Sequence, residues 1–374
     1  MDFAIYYSFN DMVVRKAYDD LESCEGNTGT LNTARIWNEN WWNVFSKRED
    51  EEFGYKPKLY IILGRDKNGV TKLILPLICR TKKLVLLGIS INFKVLSICG
   101  DYWGATFEDI LACDITSDDV CALYDFLEKN IGYDWLWFTH VRQGSMLLGH
   151  KYDVVQSACP YMPLNDYDSY VQYRKQRYSK KLKYNTNGLR NKVNKEFGEV
   201  VTCYVCGSNE EFPWQDIIDT SNSKLLSGKH SLYQDVDKVK FIKSVVSDMD
   251  SEAVLVYLND ECAAYRLLFH YKGWTYDMDA AYNRKFPQGL GIFSYDDSIK
   301  KSFDAGAVVH CGGTGVDEYK LKFLNKIMPI YHIMCSGKTW LGRITLPIKL
   351  KKLRFSEQHF FSILKERKEK YHVF

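Results

Sequence analysis

The sequence has no run of eighteen apolar residues, so no segment reads as a membrane-spanning helix. Its most apolar stretch, Lys83 to Cys99, is interrupted by Gly88, Asn92 and Lys94. It also lacks a large charge of either sign. Fifty Lys and Arg against 47 Asp and Glu leave a formal charge of +3. That argues against a polyanion binder acting through overall charge and shifts the weight to local clusters. The opening Met1-Asp2-Phe3 has neither the basic region nor the apolar core of a secretory signal. The eleven cysteines are odd in number and scattered among apolar neighbours. Their one close pair, Cys203-Tyr-Val-Cys206, has no visible partners for zinc or redox chemistry. Free thiols in a reducing cytoplasm, and no metal, are therefore expected. Two phosphate fingerprints are missing as well. Gly289-x-Gly291 has no third Gly at dinucleotide spacing, and no Gly-Lys-Ser/Thr follows it.

What is present suits a large core. The 374 residues are 46% apolar, with 26 Tyr, 20 Phe and 9 Trp, and the length suggests two domains or one duplicated unit. Asp11–Ser23 and Thr33–Lys47 read as helices. In the second, Trp37, Trp41, Trp42 and Phe45 share a core-facing side. Strands follow at 59–63, 71–79, 84–88 and 95–98, with Asp66-Lys67-Asn68-Gly69 as a hairpin turn. A helix at 118–131, capped by Asp118 or Ser117, and a strand at 135–140 close the first half. The second half reads as a strand at 200–205, helices at 212–224 and 238–249, and an antiparallel meander over 253–258, 262–271 and 274–282. The order of elements in the halves is similar, which suggests duplication.

The chain is organised around Trp274–Phe323. An aromatic strand runs into a basic loop with Pro and two glycines, Asn283 to Gly291, and then into a helix over 292–305. Gly306 stops that helix. A strand at 307–311 follows and ends on Gly312-Gly313-Thr314-Gly315. Strand, glycine loop, helix and strand form a parallel crossover with an anion site at the helix start. Arg284 and Lys285 add positive charge there, although the glycines also suit a plain tight turn. Two other stretches are basic. Nine Lys or Arg between Arg174 and Lys195, without an intervening acid, are interleaved with Tyr and Leu. This reads either as a solvated helix packed on the body or as a surface for phosphates or a membrane. The tail from Lys338 to Phe374 carries ten Lys or Arg against three Glu. Phe355, Phe360, Phe361 and Leu364 form its candidate apolar stripe, for packing on the body or lying on a membrane.

Six short motifs in order carry a resemblance. They are Trp37-x3-Trp41-Trp42, Leu75-Pro76-Leu77, Gly100-Asp101-Tyr102, the basic segment Tyr170–Leu189, Pro287 with Gly289, and Gly315-x3-Tyr319-Lys320-x2-Phe323. Together they resemble the CelD-type (cellulose-biosynthesis-protein-like) acetyltransferases of the GNAT superfamily, related to the Fem-type transferases. The pattern departs from the family where Gln288 separates Pro287 from Gly289 and where Phe323 stands in place of a frequent Trp.

The resemblance implies an α/β (α+β) fold of two tandem GNAT-like units, 1–160 and 161–340, each a mixed, mostly antiparallel sheet flanked by helices. A basic tail helix, 341–374, follows. It implies that the second unit binds acetyl-CoA or another acyl-CoA beside the strand 277–281 and at the loop. The expected contacts are Met278, Ala280, Arg284, Lys285, Gln288, Gly289, Leu290 and Gly291.

Acyl transfer needs a deprotonated nucleophile, a polarised carbonyl and a proton for the leaving group. Asp277 and Asp279, read as sharing one strand face, are the first candidates for base. His310 is the alternative base and Tyr319 the general acid. Lys320, with Glu318 as its pairing partner, and Arg177 and Lys181 on the basic segment would meet the acceptor. The acceptor implied is an amino or hydroxyl group of a nucleotide- or lipid-linked sugar in surface-polysaccharide synthesis, handled in the cytoplasm or at the inner membrane face. Two alternatives are a Fem-like transferase using aminoacyl-tRNA and an inactive GNAT-fold assembly factor docked on a membrane. Nucleic acid is otherwise not expected as a partner.

Overall fold

A computed structural model describes residues 1–86, 89–286 and 289–373. In chain order the elements are β1 (Asp2–Tyr6), α1 (Met12–Ser23), α2 (Arg35–Phe45), β2 (Tyr55–Arg65), β3 (Thr71–Leu86), β4 (Ile89–Ile98), β5 (Leu111–Ala112), α3 (Ser117–Asn130), β6 (Trp135–Arg142) and β7 (Tyr152–Pro163). Next come α4 (Tyr170–Arg177), α5 (Lys180–Lys183), α6 (Leu189–Glu196), β8 (Val200–Cys206), α7 (Trp214–Asn222), α8 (Val236–Asp248), β9 (Ser251–Leu258), β10 (Glu261–Tyr271) and β11 (Trp274–Tyr282). The chain ends with α9 (Leu290–Asp304), β12 (Val309–Cys311), α10 (Glu318–Leu321), β13 (Lys326–Ser336) and α11 (Trp340–Tyr371).

The chain divides into two compact units, one of residues 1–158 with 328–364 and one of 159–327 with 365–374. The boundaries differ from those expected at 160 and 340. β13 and most of α11 return to the first unit, so residues 341–374 are not a separate tail. Both units are mixed, mostly antiparallel sheets flanked by helices, and they repeat one element order. In the first unit β2, β3 and β4 form an antiparallel meander, α3 crosses over, and β6 pairs parallel with β4. In the second unit β9, β10 and β11 form the meander, α9 crosses over, and β12 pairs parallel with β11. An antiparallel strand from elsewhere in the chain completes each arrangement, β13 on β6 and the end of β7 on β12. The expected fold class is the observed one.

The first unit buries Leu75, Leu77, Leu96, Leu123, Leu127 and Phe138 between its sheet and α3. Trp37, Trp41 and Phe45 are wholly buried, as the core reading of that helix requires. Asp101 of the Gly-Asp-Tyr motif pairs with the buried Arg80, giving that motif a structural task. The structure corrects three local readings. The strand at 71–79 continues to Leu86 and takes in the start of the separate strand expected at 84–88, of which Leu87 and Gly88 lie outside the described residues. The cap of α3 is Thr116, whose hydroxyl and the Asp119 carboxylate cap each other's backbone N–H groups. Cys24 and Cys113 are joined in a disulfide, so not every thiol is free.

In the second unit the basic segment is broken rather than one helix. α4 ends at Arg177, and α5 runs through a π-helical stretch, Tyr184–Gly188, into α6. Its tyrosine and leucine face, Tyr173, Tyr178 and Leu182, packs on Tyr295, Ile299 and Phe323. Among the described residues, no helix is long and apolar enough to cross a membrane, and no cluster of His, Cys, Asp or Glu is arranged to hold a metal.

Candidate functional site

The site begins with an irregularity in β11. Along the β10–β11 ladder, Leu267 faces Asp279 and Leu268 faces Asp277, so Met278 is an extra residue on β11. Such a bulge reverses the alternation beyond it. Adjacent residues of β10 point to opposite faces. Asp277 pairs with Arg266, whereas Asp279 accepts from Tyr265 at 2.6 Å and from Tyr233 at 3.2 Å. The two carboxylates therefore lie on opposite faces of the sheet, contrary to the shared face that plain alternation implies.

The face toward α9 holds a buried polar cluster. Arg266 and Asp277 form an ion pair with side chains only 5% and 3% exposed. The Arg266 guanidinium lies 4.1 Å from the Tyr295 ring centre and 5.9 Å from that of Tyr319. Burial pushes Asp277 above the usual carboxylate range, while the charges of Arg266 and Lys320 pull it back in part. Arg266 is absent from the residues that the sequence singled out. Its signal was there, as one Arg inside an otherwise apolar strand, Cys262-Ala-Ala-Tyr-Arg-Leu-Leu-Phe269.

His310 is wholly buried on this face. Its Nδ1 lies 2.8 Å from Ser302 Oγ. Ser302 donates its own proton to the Ser298 carbonyl, so Nδ1–H of His310 is the donor and Nε2 is a bare acceptor without a partner among the described residues. Burial, reinforced by the charges of Arg266 and His270, pushes the imidazole down to about 3. The ring is thus held neutral, and it is not among the residues that line the pocket described next.

The β11–β12 ladder stops at Tyr276 and Cys311. Beyond it opens a pocket of about 580 Å³, whose walls include Lys224, Arg266, Ala280, Tyr282, Gly291 and Tyr319. Gly289 stands at the mouth as the N-cap of α9, with φ +115° and no side-chain cap on the helix. The positive φ favours glycine there, and a Cβ would lie 2.3 Å from the tip of the Leu189 side chain of the basic segment, and that tip would have to shift. That segment contributes Asn185, within the π-helical stretch, and Leu189 to the pocket. Lys224 donates to the Ala280 carbonyl at 3.2 Å.

The remaining expected residues divide clearly. Ala280, Gly289, Gly291 and Tyr319 line the pocket, and Tyr319 is 38% exposed there. Arg284 and Lys285 are exposed on the preceding turn, with Arg284 stacked 4.9 Å from the Tyr282 ring centre. The Leu290 side chain is buried with Val256 and Phe293, and Met278 is the bulge. Gln288 lies outside the described residues. Lys320 is buried and donates to the Thr314 and Gly315 carbonyls at 2.9 and 3.3 Å, with Asp317 at 3.6 Å. Its three donors are committed to that turn, and Glu318 pairs with Lys370 and Tyr371 instead of Lys320. Arg177 is half-buried and Lys181 exposed, and neither lines the pocket.

No protein-family model matches the sequence, and no curated protein matches it. Solved structures do match. FemX aligns over 85% of this chain and 89% of its own, with TM-score 0.54 and 11% identity. The C-terminal DUF2156 domain assigned to a lysylphosphatidylglycerol synthetase of Agrobacterium fabrum aligns over 84% of this chain and 96% of its own, with TM-score 0.51 and 11% identity. A conserved protein of unknown function from Bacteroides thetaiotaomicron aligns over 89% and 100%, with TM-score 0.52 and 7% identity. At these identities the likeness is one of fold. It bears on the Fem-type part of the resemblance and leaves the CelD-type part without support.

Proposed function

We propose that the second unit is an acyltransferase that takes an acyl group from coenzyme A and passes it to an amine or hydroxyl. The observation that carries this reading is the pocket itself. It opens where β11 loses its partner and is bounded by the uncapped start of α9, where backbone N–H groups and the helix dipole favour a phosphate. Its volume suits the reactive end of such a carrier. Gly289, Leu290 and Gly291 would hold the carrier's phosphates through their backbone, with Arg284 and Lys285 outside. Ala280 and Tyr282 would flank its arm. The carrier supplies an activated thioester.

The chain's own part is to bind, orient and move protons. Tyr319, half exposed at the wall, is the group placed to give a proton to the leaving thiolate. Asp277 does not line the pocket and is neutralised by Arg266, so it acts as a positioning residue that holds Arg266 against Tyr295 and Tyr319. Asp279 is bound by two tyrosine hydroxyls on the other face of the sheet. For the acceptor we carry forward the sugar amine or hydroxyl that the CelD-type resemblance implies.

One observation favours a second reading, a Fem-like transfer from aminoacyl-tRNA. The segment that closes the pocket with Asn185 and Leu189 also exposes Lys175, Lys180, Lys181 and Lys183, and such charge attracts a nucleic-acid backbone.

A thermal-shift screen with CoA, acetyl-CoA and longer acyl-CoAs separates the readings. A ligand at a hundred times its Kd stabilises by about 2.7 kcal/mol. No shift with any of them, together with saturable tRNA binding at physiological salt, replaces the first reading by the second. Gly291→Asp is the matching control. Its Cβ would lie 3.3 Å from the exposed Tyr282 ring, which must give by a few tenths of an ångström, and its carboxylate would repel the phosphates, so the shift should vanish.

A further inference from the structure

We infer that the first unit docks on the surface of an anionic phospholipid bilayer through the first half of α11 and a lysine pocket beside it. This rests on features of the first unit alone and stands independently of the acyl-transfer reading.

The inward face of α11 is already satisfied. Leu346, Leu350 and Leu353 pack with Phe93, Val95 and Trp135. The opposite face nevertheless carries Trp340, Ile344, Ile348 and Phe355, which are 72%, 60%, 59% and 75% exposed. Their spacing of four, four and seven residues puts them in one stripe along the helix. A row of four large apolar side chains facing water is unusual for a soluble surface. This is not the stripe expected from the sequence. Leu364 of that set is buried and Phe360 half-buried, which leaves Phe355 and Phe361 exposed.

The charge around the stripe has one sign. From Lys338 to Ser356 the chain has six Lys or Arg and no acid. Beside the helix lies a cavity of about 320 Å³, walled by Phe93, Trp137 and Ile348 and ringed by Lys82, Lys83, Lys349 and Lys352. Among the described residues none of these four lysines has a carboxylate within salt-bridge distance. Lys349 lies 4.2 Å from the Trp137 ring centre, Lys83 lies 5.1 Å from that of Tyr55, and Lys82 donates to the Glu52 carbonyl at 3.0 Å. Burial, with the charges of Lys352 and Lys82, holds Lys349 below its ordinary range. Crowded cations over an aromatic floor, of which Lys82 feels the carboxylates of Asp101, Glu52 and Asp50 without an ion pair to any of them, suit a phosphate headgroup. The apolar stripe beside them points to the occupant, because the interfacial layer of an anionic bilayer offers phosphate and hydrocarbon together along the whole row of Trp, Ile and Phe.

The test is co-sedimentation of the full chain with vesicles of phosphatidylcholine alone or mixed with phosphatidylglycerol. Binding is expected only to the mixed vesicles, weakening as salt rises. The variants Ile344→Asp/Ile348→Asp and Lys349→Glu/Lys352→Glu should each lower it roughly tenfold or more, with unchanged far-UV circular dichroism. The exposed isoleucine pair keeps the test decisive if the lysine variant folds poorly. Absence of binding to the mixed vesicles, equal binding to both kinds, or binding untouched by the isoleucine variant would overturn the inference. So would a concentration-dependent dimer abolished by the isoleucine variant in a chain that ignores vesicles.

Discussion

At the scale of single residues, burial more than residue type decides what chemistry each candidate can offer. Asp277, Tyr319 and the loop glycines could be singled out from the sequence because their types and spacing suit acyl transfer. Arg266 was not, because an Arg in a strand becomes telling only when its neighbours prove to be core. His310 shows the reverse, since the imidazole expected as the alternative base is wholly buried and held neutral. That has a consequence for pH. The ordinary histidine value is 6.5, and burial pushes His310 down to about 3. Between those values the unfolded chain takes up a proton that the folded chain refuses. The stability contributed by the neutral ring is therefore complete above about pH 6.5 and is lost as pH falls toward 3, at about 1.4 kcal/mol per pH unit. His332 in the first unit, also pushed down to about 3, adds a slope of the same sign. Urea melts from about pH 6 to about pH 4.5 should show His310→Asn losing stability less steeply than the parent chain, by about that amount per unit. Parallel slopes would mean that His310 titrates normally in the fold.

At the scale of elements, periodicity located most helices and the meander of the second unit. It failed where pairing, not pattern, decides. The bulge at Met278 follows from how β10 bonds to β11, which alternation cannot reveal. β13 went unread because Pro329 argues against a strand, yet the Pro329 carbonyl still accepts from Gln143 N–H at 3.1 Å. The π-helical stretch in the basic segment is likewise set by packing. The two loop glycines looked equivalent in the sequence and are not. Gly289 has φ +115° and would place a Cβ 2.3 Å from Leu189, while Gly291 lies in the first turn of α9 with only the Tyr282 ring at 3.3 Å. Gly289→Ala should therefore destabilise by about 1–3 kcal/mol through strain and overlap. Gly291→Ala should be neutral or stabilising by up to about 1 kcal/mol, since alanine is the better helix former. Chemical denaturation of the two variants checks this, and equal effects would mean that Gly289 is an ordinary turn residue. Adding Leu189→Ala to Gly289→Ala should recover the overlap part alone.

At the scale of the whole molecule, tandem organisation was legible from the similar order of elements in the halves. What the order of elements could not tell was that the chain leaves the second unit at 327, adds β13 and most of α11 to the first, and returns its last ten residues, 365–374, to the second. Contiguous domains are the natural assumption for a sequence, and only three-dimensional contacts break it. The returning residues have a definite task. Arg367 donates to the Val316 carbonyl, Lys370 and Tyr371 bond to Glu318 at 3.1 and 2.7 Å, and Val373 is buried. They thereby hold the turn that leads into Tyr319 and Lys320. A chain ending at Leu364 should keep the first unit's fold and its vesicle binding while loosening that turn. Hydrogen exchange reads this directly. Amides of residues 316–321 should exchange roughly tenfold faster or more than in the full chain, because local opening is governed by the contacts that hold each segment. Amides of β6 and β13 should be unchanged. Equal protection of 316–321 in both chains would show that the turn is held by Lys320 and its carbonyl partners alone, and any loss of acyl-CoA binding on truncation would then need another cause.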